Sequence, residues 1–151
     1  MRGRFVGFRN IEQLKQYFPI DQAQCQVTAN YNVAPTQEIL VLLRRNGINT
    51  LEKYHWGLVP HGAKDSAIGA KMINARMETV KKVHHRMPAI LHAQDYTAWL
   101  DSANQDTTGL LAMRSERTIT DLVFRPVSRQ VNSPRTNDPG NIQPVQLELE
   151  F

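Results

Sequence analysis

This chain of 151 residues holds a single thiol, Cys25. One cysteine excludes an internal disulfide and fits a reducing compartment. A structural zinc site needs about four Cys/His ligands at close spacing. Cys25 with His55, His61, His84, His85 and His92 makes no such pattern, so no metal and no other cofactor is expected. Long apolar runs are also lacking. The longest, Ile39-Leu40-Val41-Leu42-Leu43, is strand-sized, far short of the roughly 20 residues that span a bilayer. The opening Met-Arg-Gly-Arg-Phe-Val is basic but has no apolar core behind it, so no secretory signal is expected. The expected setting is the cytoplasm, with no membrane partner. A phosphate-binding glycine loop, a nucleophile elbow and a paired-histidine zinc helix are absent. With 41% hydrophobic residues the chain is too apolar to be a disordered one.

The charge present is mildly basic and unevenly placed. Lys+Arg number 18 against 14 Asp+Glu, a net +4. Residues 1–80 hold 10 basic and 6 acidic side chains, net +4, and residues 81–151 hold 8 of each, net zero. Such a bias points weakly to a polyanion partner, and an ordinary solvated surface explains it as well.

Local pattern predicts one α+β domain over 1–151, with a mainly antiparallel, barrel-like β core and a few short peripheral helices. Residues 2–7 read as a short strand. Asn10 can cap a helix that places Ile11, Leu14 and Phe18 on one face. The Pro-bounded segment Tyr31–Gln37 should be extended, because Ala34 precedes Pro35. Strands are predicted over 38–44 and 49–56, joined by the hairpin signal Asn46-Gly47. Further expectations are an extended piece at 72–76, a helical turn at 77–83, short strands at 88–91 and 121–127, and helices at 93–100 and 105–113. The segment from Val127 to Pro144, dense in Pro, Asn, Ser and Arg, should wander over the surface. Trp56 and Trp99 are expected in the core, and Cys25 as an inert, partly buried thiol.

Six short motifs stand out in order. They are the opening Met-x-Gly-Arg-Phe, Tyr31-Asn-Val-Ala-Pro-Thr-Gln37, Trp56-Gly-Leu-Val-Pro60, Met72-Ile-Asn-Ala-Arg76, Val83-His-His-Arg-Met-Pro88 and Val127-Ser-Arg-Gln-Val-Asn132. Together they resemble the SOS response-associated peptidase family, the abasic-site processing proteins. The resemblance implies a DNA-damage response protein whose partner is single-stranded DNA containing abasic sites, with no obligatory protein partner. In that family a cysteine at position 2, exposed by removal of the initiator Met, condenses with the ring-opened sugar aldehyde. Its α-amine, of ordinary pKa about 7.7–8.0, forms the imine, and its thiol closes a thiazolidine, leaving a covalent DNA–protein crosslink.

Carried onto this sequence, Asn74 matches the asparagine that orients the N-terminal amine. His84 matches the catalytic histidine that handles protons. Arg4, Arg76 and Arg86 match arginines that hold flanking phosphates, a task suited to the guanidinium fork. Asn32 and Pro35 match residues lining the cleft. Without the motifs, each of these residues has an ordinary reading as a turn, cap or solvated side chain.

Three departures follow. Position 2 is Arg2, so the thiol nucleophile is missing. Arg76 and His84 lie only eight positions apart, where the family has several dozen residues that include a Gly-Phe-Tyr-Glu-Trp motif with the catalytic Glu. An internal deletion is therefore expected near 78–83. Gly62 stands where the family usually has a Trp that stacks on bases, an interaction worth about 1–3 kcal/mol per base. Loss of inner strands removes apolar burial and opens sheet edges. That leaves three outcomes open: a smaller stable domain, dimerisation by edge pairing, or poor stability. It also leaves open a non-covalent single-strand-binding module, or a non-functional remnant, beside a crosslinking enzyme.

Overall fold

The computed structural model describes residues 3–57, 59, 61–65, 69, 89–117, 119 and 121–145. In chain order its elements are β1 (Phe5–Gly7), α1 (Ile11–Lys15), β2 (Gln22–Ala23), β3 (Asn30–Val33), β4 (Glu38–Arg45), β5 (Ile48–His55), α2 (Tyr96–Leu100) and α3 (Thr107–Glu116). Short 3-10 turns cover Ala93–Asp95, Arg129–Asn132 and Pro139–Ile142. The class is α+β, as expected.

The hairpin of β4 and β5 is the largest unit. Asn46 and Gly47 both have positive φ, 51° and 81°, the backbone of a type I′ turn whose twist matches that of the strands it joins. The register then runs from Arg45 opposite Ile48 to Glu38 opposite His55. β2 adds to the other edge of β5 in parallel, giving the order β2-β5-β4. β5 is thus central, and its Thr50 and Leu51 are buried. A separate two-stranded sheet pairs β1 with β3 antiparallel, Phe5 opposite Val33. Among the described residues, the buried apolar ones are Ile20, Val33, Ala34 and Leu51. They lie on β3, on β5 and on the segments leading into β2 and out of β3.

Helix α1 starts where its cap chemistry dictates. The Asn10 side chain accepts from the Gln13 N–H at 2.9 Å, and the Gln13 side chain accepts from the Asn10 N–H at 3.1 Å. This reciprocal capping box satisfies two otherwise orphaned donors. Phe18, beyond the helix, stacks on Tyr96 with ring centroids 5.4 Å apart, which joins the N-terminal part to α2. Burial raises the Tyr96 phenol above its ordinary pKa.

The turn between β3 and β4 carries strain. The Gln37 N–H donates to the Ala34 carbonyl at 3.1 Å, and Thr36 sits at φ 76°. Pro35 at the second position and positive φ at the third define a type II turn, which favours glycine where Thr36 stands. The left-handed conformation costs a β-branched residue roughly 1–2 kcal/mol, and glycine's extra unfolded-state freedom offsets roughly half of that gain. Thr36→Gly is therefore expected to stabilise the chain by about 0.5 kcal/mol, read as a small rise in Tm. A fall in Tm would show that the threonine side chain contributes more than its backbone costs.

Glycine is also required at position 57, in the Trp-Gly-Leu-Val-Pro motif. Gly57 has φ 150°, and a Cβ there would lie 2.5 Å from the carbonyl carbon of Gly69.

Some expectations fail. Residues 121–127 are not a strand; only an isolated bridge links Val127 to Pro144. Residues 89–91 are irregular, with the Ile119 N–H donating to the Ile90 carbonyl at 2.8 Å. Trp99 is 46% exposed and not a core residue. Trp56 is half-buried, its ring edge-on to Phe5 at 4.9 Å. The segment after Val127 does not wander, for the reason given below. The expected pieces at 72–76 and 77–83 lie outside the described residues.

Asp95, just before α2, is 2% exposed and pairs with Arg117, just after α3, at 2.6 Å. Its second carboxylate oxygen has no partner. Removing one member of a buried pair strands the other charge. Because Arg117 is half exposed, the cost is discounted: Arg117→Ala is expected to lower stability by about 2 kcal/mol, measured by urea unfolding. An unchanged midpoint would mean that water replaces the guanidinium.

Candidate functional site

Arg4, Asn32 and Pro35 are the sequence-predicted site residues that fall within the described structure; Arg2, Asn74, Arg76, His84 and Arg86 lie outside it. Arg4 and Asn32 come together. The Arg4 guanidinium donates through Nη1 to Asn32 Oδ1 at 2.8 Å and to the Val131 carbonyl at 3.1 Å, and through Nη2 to the Asn132 carbonyl at 3.4 Å. Asn32 Nδ2 donates to the carbonyls of Ser133 at 2.7 Å and Thr136 at 2.8 Å. Asn32 is 2% exposed. With both amide hydrogens and the carbonyl oxygen engaged, its side chain meets the requirement that buried polar groups find partners.

This cluster joins three of the sequence motifs, at positions 1–5, 31–37 and 127–132. Local chemistry shapes each side. Asn30 Oδ1 accepts from the Asn32 N–H at 2.9 Å, and Gln37 Oε1 accepts from the Ala34 N–H at 3.0 Å, holding the strand and turn that present Asn32. On the tail, Thr136 Oγ1 lies 2.7 Å from the Gln130 carbonyl and 2.8 Å from that of Ser133. Asn141, 1% exposed, donates to the Thr136 carbonyl at 3.1 Å. Asn137 Oδ1 accepts from the Tyr31 N–H at 2.7 Å. Side-chain amides thus fold the tail onto β3, in a segment that composition alone presents as loose loop.

Pro35 is half-buried at the type II turn and makes no part of the Arg4 cluster. Its neighbours border a second feature, a cleft of about 340 Å³ lined by Phe5, Asn30, Val33, Gln37, Ile39 and Leu40. Phe5 and Val33 line the cleft while their neighbours Arg4 and Asn32 bond each other and the tail, so the cleft and the Arg4 cluster are separate features of the β1/β3 ribbon.

The tail brings charge to the cluster that the sequence reading did not single out. Between residues 122 and 137 the chain holds Arg125, Arg129 and Arg135 and no acid. Arg129 opens the 3-10 turn whose Val131 and Asn132 carbonyls hold Arg4, and Arg135 follows between Ser133 and Thr136, whose carbonyls hold Asn32. Both are exposed, and neither has an ion-pair partner among the described residues. A run of three arginines without a counter-acid was the available signal. Chemically, the arrangement offers guanidinium groups, suited to phosphate oxygens, on a rigidly hydrogen-bonded backbone. No helix of the described residues is long and apolar enough to cross a membrane.

The family model described as SOS response associated peptidase matches residues 1–83 and 80–134. Among curated proteins, abasic site processing protein YoqW of Bacillus subtilis (strain 168) is 40% identical over 107 residues, covering 66% of this chain and 48% of the relative. Abasic site processing protein YoaM of the same organism is 40% identical over 112 residues, 68% of this chain and 49% of the relative. Abasic site processing protein HMCES of Gallus gallus is 41% identical over 71 residues, 46% of this chain and 20% of the relative. The chain spans about half the length of the bacterial relatives it matches.

Proposed function

The chain belongs to the SOS response associated peptidase family, and from that premise we propose that it acts on abasic-site DNA, binding it as a single strand without the family's thiol-dependent covalent step. The observation that carries the reading is the Arg4–Asn32–tail cluster. It holds three family motifs against one another and presents Arg129 and Arg135 exposed, with no ion-pair partner among the described residues. Arg76 and Arg86, which match phosphate-holding positions, extend the same role. Asn74 and His84 match the positions that orient the amine and move protons. In this chain the partner of that chemistry, a cysteine at position 2, is replaced by Arg2. What remains is recognition: guanidinium contacts to phosphates, which neutralise backbone charge and release counterions.

The test is fluorescence anisotropy with a single-stranded oligonucleotide carrying one abasic site, titrated at several salt concentrations. Binding should weaken steeply with salt, because each phosphate contact adds about −0.7 to the slope of log K against log salt on single strands. The double variant Arg129→Ala/Arg135→Ala should bind about tenfold more weakly and lose about 1.4 from that slope. Salt-independent binding, or a slope untouched by the double variant, would sink the assignment of these arginines.

A further inference from the structure

We propose that the outer edge of β4 is a pairing surface for a second copy of the chain, forming a two-fold β4–β4 ladder that joins the two three-stranded sheets. The inference does not rest on the DNA reading. In the sheet order β2-β5-β4, β4 is terminal, with a partner on one side only among the described residues. Yet its sequence, Glu-Ile-Leu-Val-Leu-Leu-Arg-Arg, is not that of a protected edge. Edge strands in soluble proteins carry inward charges, prolines, bulges or short lengths. β4 has eight residues with five consecutive apolar ones, the pattern of a strand covered on both faces. All five are half-buried and none is fully buried.

The backbone decides which groups are free. The Trp56 N–H donates to the Gln37 carbonyl at 2.9 Å, and the hairpin closes with Arg45 opposite Ile48. Main-chain groups alternate in direction along a strand. The odd-numbered residues from 39 to 45 therefore turn theirs toward β5, as the Gln37 carbonyl does, and Glu38, Leu40, Leu42 and Arg44 turn N–H and C=O outward.

A two-fold axis perpendicular to the sheet keeps each residue on the same face in both copies. Opposed residues must then share a face, so their numbers sum to an even value. A sum of 82 uses the whole outward set. Glu38 stands opposite Arg44 of the second copy, Leu40 opposite Leu42, and Val41 opposite its own equivalent. Each outward pair then exchanges two main-chain hydrogen bonds.

Charge complementarity selects this register and this occupant. Glu38 and Arg44 have no ion-pair partner among the described residues, whereas Arg45 is engaged by Glu52 at 3.3 Å and by the Tyr54 hydroxyl at 2.7 Å. A strand acidic at one end, basic at the other and apolar between is self-complementary when antiparallel. That is the requirement of an isologous interface.

The experiment is sedimentation equilibrium on the full chain over a wide concentration range. A reversible dimer is expected. Leu42→Pro removes an outward N–H, and proline is tolerated on a strand edge where that group bonds nothing within the sheet. This variant should be monomeric with the circular dichroism of the parent. The single reversals Glu38→Arg and Arg44→Glu should each weaken the dimer about tenfold, and the double reversal should restore it. The reversals decide the matter alone if Leu42→Pro does not fold. A monomer at every concentration would overturn the proposal, as would a dimer indifferent to all of these changes, or open-ended assembly. A monomer whose outward β4 amides resist hydrogen exchange would assign the edge to another segment of the same chain.

Discussion

Asn32→Ala is expected to destabilise the chain by about 3 kcal/mol, the largest single-residue effect on stability predicted for it. The side chain is fully buried and bonds Arg4 and the carbonyls of Ser133 and Thr136. Alanine leaves two carbonyls and one guanidinium N–H without this partner, in a place where water must enter to replace it. Each group left unsatisfied costs roughly 1–3 kcal/mol, less whatever water restores. The tail beyond Val127 has little apolar anchoring of its own: Val127 and Val145 are exposed, and its buried residue is the polar Asn141. Loss of Asn32 should therefore free the tail before the β4–β5 hairpin melts. Urea unfolding gives the magnitude, and limited proteolysis within 129–137 gives the order of events. Asn32→Asp separates packing from hydrogen bonding. It keeps the shape and the acceptor for Arg4 but replaces two donors with oxygen facing carbonyl oxygen, so it should also destabilise. An Asp variant as stable as the parent would refute the amide clamp.

The second large effect is chemical and close to all-or-none. Mixed with single-stranded DNA carrying an abasic site, the chain is expected to give no adduct that survives denaturing electrophoresis. Arg2→Cys is expected to give one. The thiazolidine needs a 1,2-aminothiol: the amine condenses with the aldehyde, water leaves, and the neighbouring thiolate adds to the imine carbon. Cysteine at position 2 supplies both groups once Met1 is removed, and arginine supplies neither the thiol nor the ring closure. An imine through the Met1 amine or a lysine is reversible and is trapped only by borohydride, so the two electrophoretic conditions distinguish it from the thiazolidine. A stable adduct from the unaltered chain would overturn the reading of Arg2. Absence of an adduct from Arg2→Cys would place the defect in the short stretch between Arg76 and His84. Neither outcome touches the salt-dependence test, because phosphate contacts do not require the thiol.

Much of the fold was legible residue by residue. Asn46-Gly47 announced its hairpin because few other pairs accept two positive φ values in succession. Asn10 and Gln13 announced the start of α1 because their side chains bond the orphan amides three residues away. The strand over 38–44 was plain from its apolar run. These are interactions within a few positions, and amino-acid type alone carries them. The predicted strand at 121–127 failed for the complementary reason. Its alternation of Leu122, Phe124 and Pro126 suits a strand, but a strand also needs a neighbour, and the described structure provides one bridge, at Val127. Trp99 misled in the same way. A large ring is usually buried, but Trp99 is 46% exposed, one of fifteen large hydrophobic residues left exposed among the described residues.

For the site, residue identities and motif order placed Arg4, Asn32 and Pro35 in one group and pointed to the family. They could not sort that group. Arg4 and Asn32 face the tail, while Pro35 sits at a turn on the margin of a separate cleft. That division follows from partners about a hundred positions away, such as Ser133 for Asn32. Composition marked the tail as loop because proline, asparagine and serine favour turns. The same asparagines and serines supply the amides and carbonyls that pin it. Caps, the hairpin turn, the absent thiol and the charge count are local properties, and they can be read from the chain before it folds. Which arginine is spent on the protein's own carbonyls, which stays exposed, and which strand edge has no neighbour among the described residues depend on contacts distant in sequence. Those contacts exist only once the chain has closed on itself.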